Sequence, residues 1–209
     1  IVAANGSIRG VAPSAKIIAV KVCNSGGSCT VSDVTAAIEW CTSNKTKYDI
    51  KVITMSLGGG IYSSNCDSSY PTITAAANAA AASNIAVFAA SGNSGSSTGI
   101  SAPACIASII AVGGSDKSDN MYINGNRNSL IGVIAPGVSI KSTYLGGGTA
   151  ILTGTSMSTP HAAAAANLLQ EYSELNGKTL SPSEIKSIMK DNGKQINDAA
   201  SGLNYVRID

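Results

Sequence analysis

Short apolar runs recur along the chain, separated by stretches in which apolar residues follow a helical spacing. Runs of this length, bounded by glycine, proline and small polar residues, predict buried β-strands. Strands that alternate with helices in this way predict βαβ units, and therefore an α/β fold with a mainly parallel sheet. The five predicted strands cover residues 16–22, 51–56, 85–90, 109–112 and 132–134.

Four segments carry the signals of helices. In the first, Val34, Ala37, Ile38 and Cys41 fall on one face. Pro71 suits the first turn of the second helix. The third is rich in alanine, and the fourth begins with a capping box, Ser-Pro-Ser-Glu. The predicted helices are residues 33–42 after Ser32, residues 71–83, a helix from Ser156 onwards, and one from Ser181 to about residue 190.

Composition narrows the classes of function. A chain of 209 residues fits one domain with a sizeable core, here residues 1–209. Only 12% of the residues are charged, the formal net charge is +2 and no basic cluster occurs, so we do not expect nucleic acid as a partner. No apolar run reaches the roughly 20 residues that a membrane-spanning helix needs, so we do not expect a membrane partner.

The five cysteines do not form a metal-binding pattern, because no CxxC pair occurs and the chain has a single histidine. In an oxidising compartment, Cys23 and Cys29 can bridge across the flexible segment 24–28. Cys66 with Cys105 is the second candidate pair, which leaves Cys41 free and buried on a helix. The alternative is that all five are reduced and buried, since free cysteine is commonly buried.

The candidate chemistry lies in Gly-Thr-Ser-Met-Ser-Thr-Pro-His, residues 154–161. A small-residue turn brings Ser156 to the start of the alanine-rich helix. There the hydroxyl lies at the positive end of the helix dipole, beside backbone N–H groups without intrahelical partners. In isolation, such a serine is usually a helix cap. The whole stretch, however, resembles the nucleophile motif of the subtilisin-like serine proteases, and two further stretches resemble that family in the same order.

The first further stretch is Met-Ser-Leu-Gly-Gly, residues 55–59, at the end of a predicted strand. In open α/β sheets, ligands bind at the carboxyl ends of strands. Glycine and serine there leave the backbone accessible, so that an extended peptide can pair with it. The stretch resembles the family's cleft-lining segment. The resemblance therefore implies a substrate-binding role for Ser56, Leu57 and Gly58.

The second further stretch, Ala-Ala-Ser-Gly-Asn at residues 89–93, resembles the family's segment that carries the oxyanion asparagine. The resemblance implies that the Asn93 amide and the Ser156 N–H stabilise the negative charge on the attacked carbonyl oxygen. It also implies that Ala90, Ser91 and Gly92 form one wall of the primary specificity pocket. Ser94 and the loop 100–103 would close the pocket, with Ser101 near its base. A small neutral base favours an apolar or aromatic residue before the scissile bond.

A nucleophilic serine needs a general base that is oriented by a third group. In the family the order is Asp, His, Ser, and the beginning of this sequence resembles the part of the domain that follows the histidine motif. We therefore expect both groups upstream of Ile1. His161 lies five residues after Ser156, about 140° around the helix axis, and is expected to be structural. The α/β-hydrolase motif G-x-S-x-G does not fit this site.

The sequence is thus interpreted as the carboxyl-terminal portion of a subtilisin-like catalytic domain, a three-layer α/β/α fold that is incomplete at its amino terminus. The resemblance implies a secreted, extracellular serine endopeptidase that acts on peptides or proteins. Its partner would be an upstream chain or pro-segment of the same precursor, and this chain alone is expected to be inactive. No cofactor is needed and no metal ligand is assigned, although a structural calcium ion is compatible with the family. The alternative is a catalytically silent peptide-binding or assembly module on the same scaffold.

Overall fold

A six-stranded sheet forms the centre of the computed structural model, which describes residues 1–208. Two small two-stranded sheets lie beside it. In chain order the elements are α1 (Val31–Ser43), α2 (Lys45–Tyr48), β1 (Val52–Met55), β2 (Gly59–Tyr62), α3 (Pro71–Ala82), β3 (Ala86–Ala90), β4 (Ile100–Ala102), β5 (Ile110–Ser115), β6 (Ile131–Pro136), β7 (Ile140–Thr143), β8 (Thr149–Leu152), α4 (Thr155–Leu175), α5 (Pro182–Asp191), β9 (Lys194–Asp198) and β10 (Leu203–Arg207).

The strand order of the central sheet is β1-β3-β5-β6-β10-β9. Strands β1, β3, β5, β6 and β10 are parallel to their neighbours, and only β9 runs antiparallel, against β10. Helices cover both faces of the sheet. The predicted α/β/α architecture with a mainly parallel sheet is therefore confirmed.

Successive side chains of a strand point to opposite faces of the sheet. The side chains of β3 therefore pack into the helix layers on both faces. Val87 and Ala89 belong to the core that the sheet shares with α1 and α3. Ala86 and Phe88 belong to the core on the other face, with α4 and α5. All four side chains are fully buried. Because both faces of β3 are covered, the strand reads as a continuous apolar run, as buried parallel strands do.

Helices α1, α3, α4 and α5 form where the sequence predicted them, whereas the short α2 was not predicted. The small side chains of Ala162, Ala163 and Ala166 let α4 lie close against the sheet, and all three are buried. Helix α5 has the predicted capping box: the Ser181 hydroxyl accepts from Glu184 N–H (3.3 Å), and the Glu184 carboxylate accepts from Ser181 N–H (2.8 Å). These contacts satisfy N–H groups that a helix start leaves without partners.

Two strand predictions need correction. Residues 16–22 form no strand, and Ile17 is 62% exposed. Residues 51–56 do contain β1, but the strand is only partly buried. The reason is the same in both cases. A β-strand forms only where another strand is hydrogen-bonded to it. Within residues 1–208, segment 16–22 has no such partner strand, and β1 pairs along one edge only, with β3. Apolar composition cannot show which edges will be paired.

Three antiparallel strand pairings were not predicted. Strands β7 and β8 pair with each other, and so do β9 and β10. Segment 100–103 was expected to be a loop, but it contains β4, which pairs with β2 in antiparallel register, Gly59 opposite Ala102. Strands of three to five residues with polar or glycine positions carry little periodic signal, which explains why the pattern missed them.

The disulfide predictions are confirmed. Cys23 is bonded to Cys29 and Cys66 to Cys105, while Cys41 is free and buried in α1. The alternative of five reduced cysteines is therefore wrong. Within residues 1–208, no helix has both the length and the apolar character that crossing a bilayer requires.

Candidate active site

Ser156 lies in the first turn of α4, where the helix begins beside the carboxyl ends of β1 and β3. Proline at position 160 lacks the N–H that would bond to the Ser156 carbonyl. The Ser56 hydroxyl donates to this backbone carbonyl oxygen of Ser156 instead, at 2.8 Å. The end of β1 and the start of α4 are therefore joined directly at the predicted nucleophile.

Asn93 is held by its side-chain oxygen. Oδ1 accepts from the N–H of Thr155 (2.9 Å) and from its hydroxyl (3.0 Å). Gly154 passes so close that a Cβ there would lie 3.3 Å from Asn93 Nδ2, which leaves little room for a side chain. With Oδ1 fixed, the orientation of the amide is fixed too. Within residues 1–208, neither Asn93 Nδ2 nor the Ser156 N–H has a hydrogen-bond partner.

The Ser156 hydroxyl does not contact a titratable group. Its hydrogen bond within the described chain is a long one, 3.5 Å to the Ser56 carbonyl oxygen. His161 Nδ1–H donates to the Met157 carbonyl (2.8 Å). Burial lowers the pKa of His161, against the opposing effect of that hydrogen bond, so the ring is neutral at neutral pH. His161 is thus committed to its own helix and does not reach Ser156, as expected.

A cleft of about 690 Å³ opens at this point. Asn93 and Ser156 lie on it, together with six of the seven residues predicted to bind substrate: Ser56, Leu57, Gly58, Ala90, Gly92 and Ser101. Ser94 and Pro103 also line it, as predicted. A partly exposed serine, unpartnered N–H donors and accessible backbone along one groove are the elements that attack on a peptide carbonyl requires.

Ser91 is the exception among the seven predicted substrate-binding residues. Its side chain is fully buried, and its hydroxyl donates to the Asn126 carbonyl at 2.7 Å. Side chains alternate along the extended chain, so Ser91 points inward where Ala90 and Gly92 face the cleft. The Ser91 side chain therefore does not line the cleft and contributes no surface to the predicted pocket wall.

One wall of the cleft was missed by the sequence analysis. The disulfide-closed segment 23–29 lines the groove through Cys23, Gly27, Ser28 and Cys29. Behind it lie apolar side chains from α1 and α3, among them Val34 and Ile73. The available signal was a glycine-rich segment directly after a predicted strand, here residues 16–22, which is also the position of the other two cleft segments.

The family model described as "Subtilase family" matches residues 1–205. The chain belongs to the subtilase family. Among curated relatives, it is 39% identical over 196 residues to subtilisin DY of Bacillus licheniformis, covering 92% of this chain and 66% of that protein. It is 40% identical over 173 residues to subtilisin Savinase of Lederbergia lenta, covering 82% of this chain and 60% of that protein.

Solved subtilase structures agree with the fold. A cold-adapted subtilisin-like serine proteinase superposes with a TM-score of 0.81 at 28% identity, over 95% of this chain and 68% of that one. Sphericase superposes with a TM-score of 0.82 at 27% identity, over 97% of this chain and 71% of that one. The subtilase chain described here thus spans less than two thirds of the length of the curated relatives named above.

The structural calcium ion that subtilase membership allows has no obvious side-chain ligands here. Calcium takes six or more oxygen ligands, usually including carboxylates. Among residues 1–208, no three His, Cys, Asp or Glu side chains converge. The short segment 5–10 has a bridge between Asn5 and Arg9, and the Ile8 carbonyl accepts from Gly6 N–H (3.2 Å). A calcium site in this chain therefore has no assigned ligands.

Proposed function

We propose that this chain is the carboxyl-terminal portion of a secreted subtilisin-like serine endopeptidase, in which Ser156 attacks the substrate carbonyl and forms an acyl-enzyme. The observation that carries the proposal is the environment of Ser156. A partly exposed serine begins a helix at the edge of a peptide-sized cleft, with two unpartnered N–H donors at hand. A serine that merely capped the helix would need neither the cleft nor the donors.

The two donors account for the stabilisation of the tetrahedral intermediate. Attack by Ser156 moves negative charge onto the carbonyl oxygen, and Asn93 Nδ2–H and the Ser156 N–H would donate to that oxygen. Thr155 holds Oδ1 of Asn93 through two hydrogen bonds, so the donor needs little reorganisation during the reaction. Preorganised donors of this kind are usually the largest electrostatic contribution to acyl transfer.

The proton of Ser156 needs an acceptor that this chain does not supply. The single histidine is bonded to Met157, and the nearest oxygen, the Ser56 carbonyl, is too weak a base to accept the proton. We therefore propose that the triad Asp and His come from an upstream segment, either covalently continuous with this one or present as a separate chain or pro-segment. The greater length of the relatives is consistent with such a segment.

The proposed specificity follows from the pocket beside Asn93. Ala90, Gly92 and Ser101 are small and uncharged, so they leave room for an apolar or aromatic side chain at the residue before the scissile bond. A series of peptides that differ only at this residue tests the assignment. Preference for Phe, Tyr or Leu supports it, whereas preference for Lys or Asp contradicts it, because no countercharge lines these positions.

Fluorophosphonate labelling of the native material tests the function itself. A fluorophosphonate reacts with a serine only where a base and an oxyanion site activate it. Intact-mass measurement under denaturing conditions first shows whether a second, upstream chain accompanies this one. If it does, labelling should occur and should be lost in Ser156→Ala.

Ser158→Ala is the matched control, because the Ser158 hydroxyl is buried without a hydrogen-bond partner in the described chain. That variant should label like the wild type. No labelling of the complete assembly, together with retained peptide binding, would instead favour the catalytically silent binding module. Rapid proteolysis by this chain alone would contradict the proposed division of the triad.

A further inference from the structure

Asn126 is buried completely in the segment between β5 and β6, and its hydrogen bonds lead to the two parts of the chain that border the proposed specificity pocket. Its side-chain oxygen accepts from Ser94 N–H (2.9 Å) and Ser96 N–H (3.1 Å). Its side-chain nitrogen donates to the Ser101 hydroxyl (3.2 Å). One amide therefore joins the segment after β3 to the residue predicted at the base of the pocket.

The backbone of Asn126 continues the same connection. Its N–H donates to the Gly92 carbonyl (2.8 Å), and its carbonyl accepts from the Ser91 hydroxyl (2.7 Å). Together these are five hydrogen bonds from Asn126, four to residues 91–96 and one to Ser101, the two parts of the chain that border the pocket. Gly92 has a left-handed φ of 104°, and a Cβ there would collide with Asn126 and Ser101. The contact is thus as close as the backbone allows.

Asn126 does not line the cleft, so it acts on substrate only through the residues that it holds. A buried amide with both of its polar atoms satisfied is rigid, because the loss of any partner leaves a desolvated group without a hydrogen bond. The surrounding segment is irregular and gains little order from the sheet ladder. The Ser101 N–H donates to the Ser91 carbonyl (2.8 Å), and Asn126 adds the side-chain connection between Ser101 and the segment after β3.

We propose that Asn126 is a positioning residue that sets the separation of the two sides of the primary specificity pocket, and so the preference for a large apolar residue before the scissile bond. The inference rests on the proposed function, since it names what controls the selectivity of that same site. The chain offers a matched control in Asn128, which is also buried and also bonded through its side chain. The Asn128 contacts go elsewhere, to the carbonyls of Tyr62, Ser63 and Thr98 and to Leu130 N–H.

The test compares Asn126→Ala with Asn128→Ala in the complete protein, using peptides with Phe or Ala before the scissile bond. For Asn126→Ala, KM for the Phe peptide should rise about tenfold while kcat changes little, because a loosened pocket loses substrate binding rather than chemistry. The Phe-to-Ala ratio of kcat/KM should fall by a similar factor. Asn128→Ala should keep the wild-type ratio.

Asn126→Asp covers the case in which the alanine variant does not fold. The aspartate is nearly isosteric and keeps an acceptor for Ser94 and Ser96, but it loses the amide donor to Ser101. It should lower the Phe-to-Ala ratio less than alanine does. An unchanged ratio in both Asn126 variants overturns the inference. An equal fall in Asn126→Ala and Asn128→Ala also overturns it, because general loosening of the segment would then be the cause.

If the wild-type assembly cleaves no peptide, the proposed function is refuted, but the positioning role of Asn126 can still be tested by peptide binding. In that case, calorimetry measures binding of peptides that end in Phe or in Ala to this chain. A preference for Phe that disappears in Asn126→Ala and survives in Asn128→Ala supports the positioning role. A preference that survives in both, or that the wild type lacks, overturns it.

Discussion

Removal of the Asp198 carboxylate should destabilise the fold more than its place near the end of the chain suggests. Arg127 Nε donates to Asp198 Oδ2 at 2.7 Å, and the two side chains are only 5% and 8% exposed. Arg127 Nη1 also donates to the carbonyls of Ile123 (3.2 Å) and Gly125 (2.8 Å). The pair therefore anchors the β9–β10 hairpin to the segment that contains Asn126.

The magnitude follows from what each variant leaves behind. Asp198→Asn leaves a buried guanidinium without its countercharge, and breaking a buried pair in this way typically costs about 3–5 kcal/mol. Because two carbonyls still accept from Arg127, we expect about 3 kcal/mol here. At roughly 2–4 °C per kcal/mol for a domain of this size, Tm should fall by about 6–12 °C.

Urea unfolding with the disulfides intact is the appropriate assay, applied to Asp198→Asn, Arg127→Met and the double variant. The double variant leaves no orphaned charge, so it should cost less than the sum of the two single variants. A cost below about 1 kcal/mol for Asp198→Asn would refute the reasoning, because that is the value of an exposed pair. Strict additivity in the double variant would refute it as well.

The pH dependence of stability provides a second readout on the same pair. Burial would raise the pKa of Asp198, but hydrogen bonds from Arg127 and Ser201 outweigh that effect and lower it. A folded-state pKa below the unfolded value of about 3.9 means that the contribution is complete above that value. It is lost as the pH falls through the folded-state pKa. Asp198→Asn should lack this loss, and an identical acid dependence in both proteins would contradict the assignment.

Three further outcomes are expected. In the complete enzyme, Asn93→Ala should lower kcat by about 10²–10³ with KM little changed, a magnitude taken from subtilisin and therefore from a relative; an unchanged kcat would exclude Asn93 from the oxyanion site. Hydrogen bonds from Lys178 and Ser181 lower the pKa of Glu184 to about 2. Amide-exchange protection at the start of α5 should therefore persist as the pH falls and be lost only near that value. In Glu184→Gln this loss of protection at low pH should be absent. Replacing both Cys66 and Cys105 by serine should cost about 4 kcal/mol in urea unfolding, and the equivalent change in the other disulfide about 2 kcal/mol, because their sequence separations are 39 and 6; equal costs would argue against the loop-closure explanation.

The parts of the fold that the sequence predicted are those in which local pattern and tertiary environment agree. Strand β3 is apolar throughout because both of its faces are buried, and α5 begins at a serine whose capping partner is only three residues away. Segment 16–22 also has a continuous apolar run, residues 17–20, between two lysines. Its exposure depends on whether a neighbouring strand pairs with it, which is not a property of the segment itself.

The candidate site divides in the same way. Ser156, Asn93 and the glycine-rich cleft segment were identifiable because each lies within a continuous motif. Asn126 was not, since its partners Ser94 and Ser101 are 32 and 25 residues away in the chain. The inward direction of the Ser91 side chain was not predicted either, because the motif specifies its position in the chain and not the direction of its side chain. Motifs therefore locate the groups that react, whereas the groups that hold them are found only in three dimensions.

The proposed mechanism separates two requirements that a catalytic serine usually meets together. Charge stabilisation is prepared within this chain, because Thr155 fixes the amide of Asn93 and Ser56 fixes the start of the helix without any contribution from a base. Proton transfer is not prepared, since the Ser156 hydroxyl faces a backbone carbonyl that cannot accept its proton. A histidine supplied from an upstream segment therefore needs only to approach Ser156, and the oxyanion site needs no rearrangement. On this reasoning, the upstream segment determines whether Ser156 reacts, and this chain determines which peptide it reacts with.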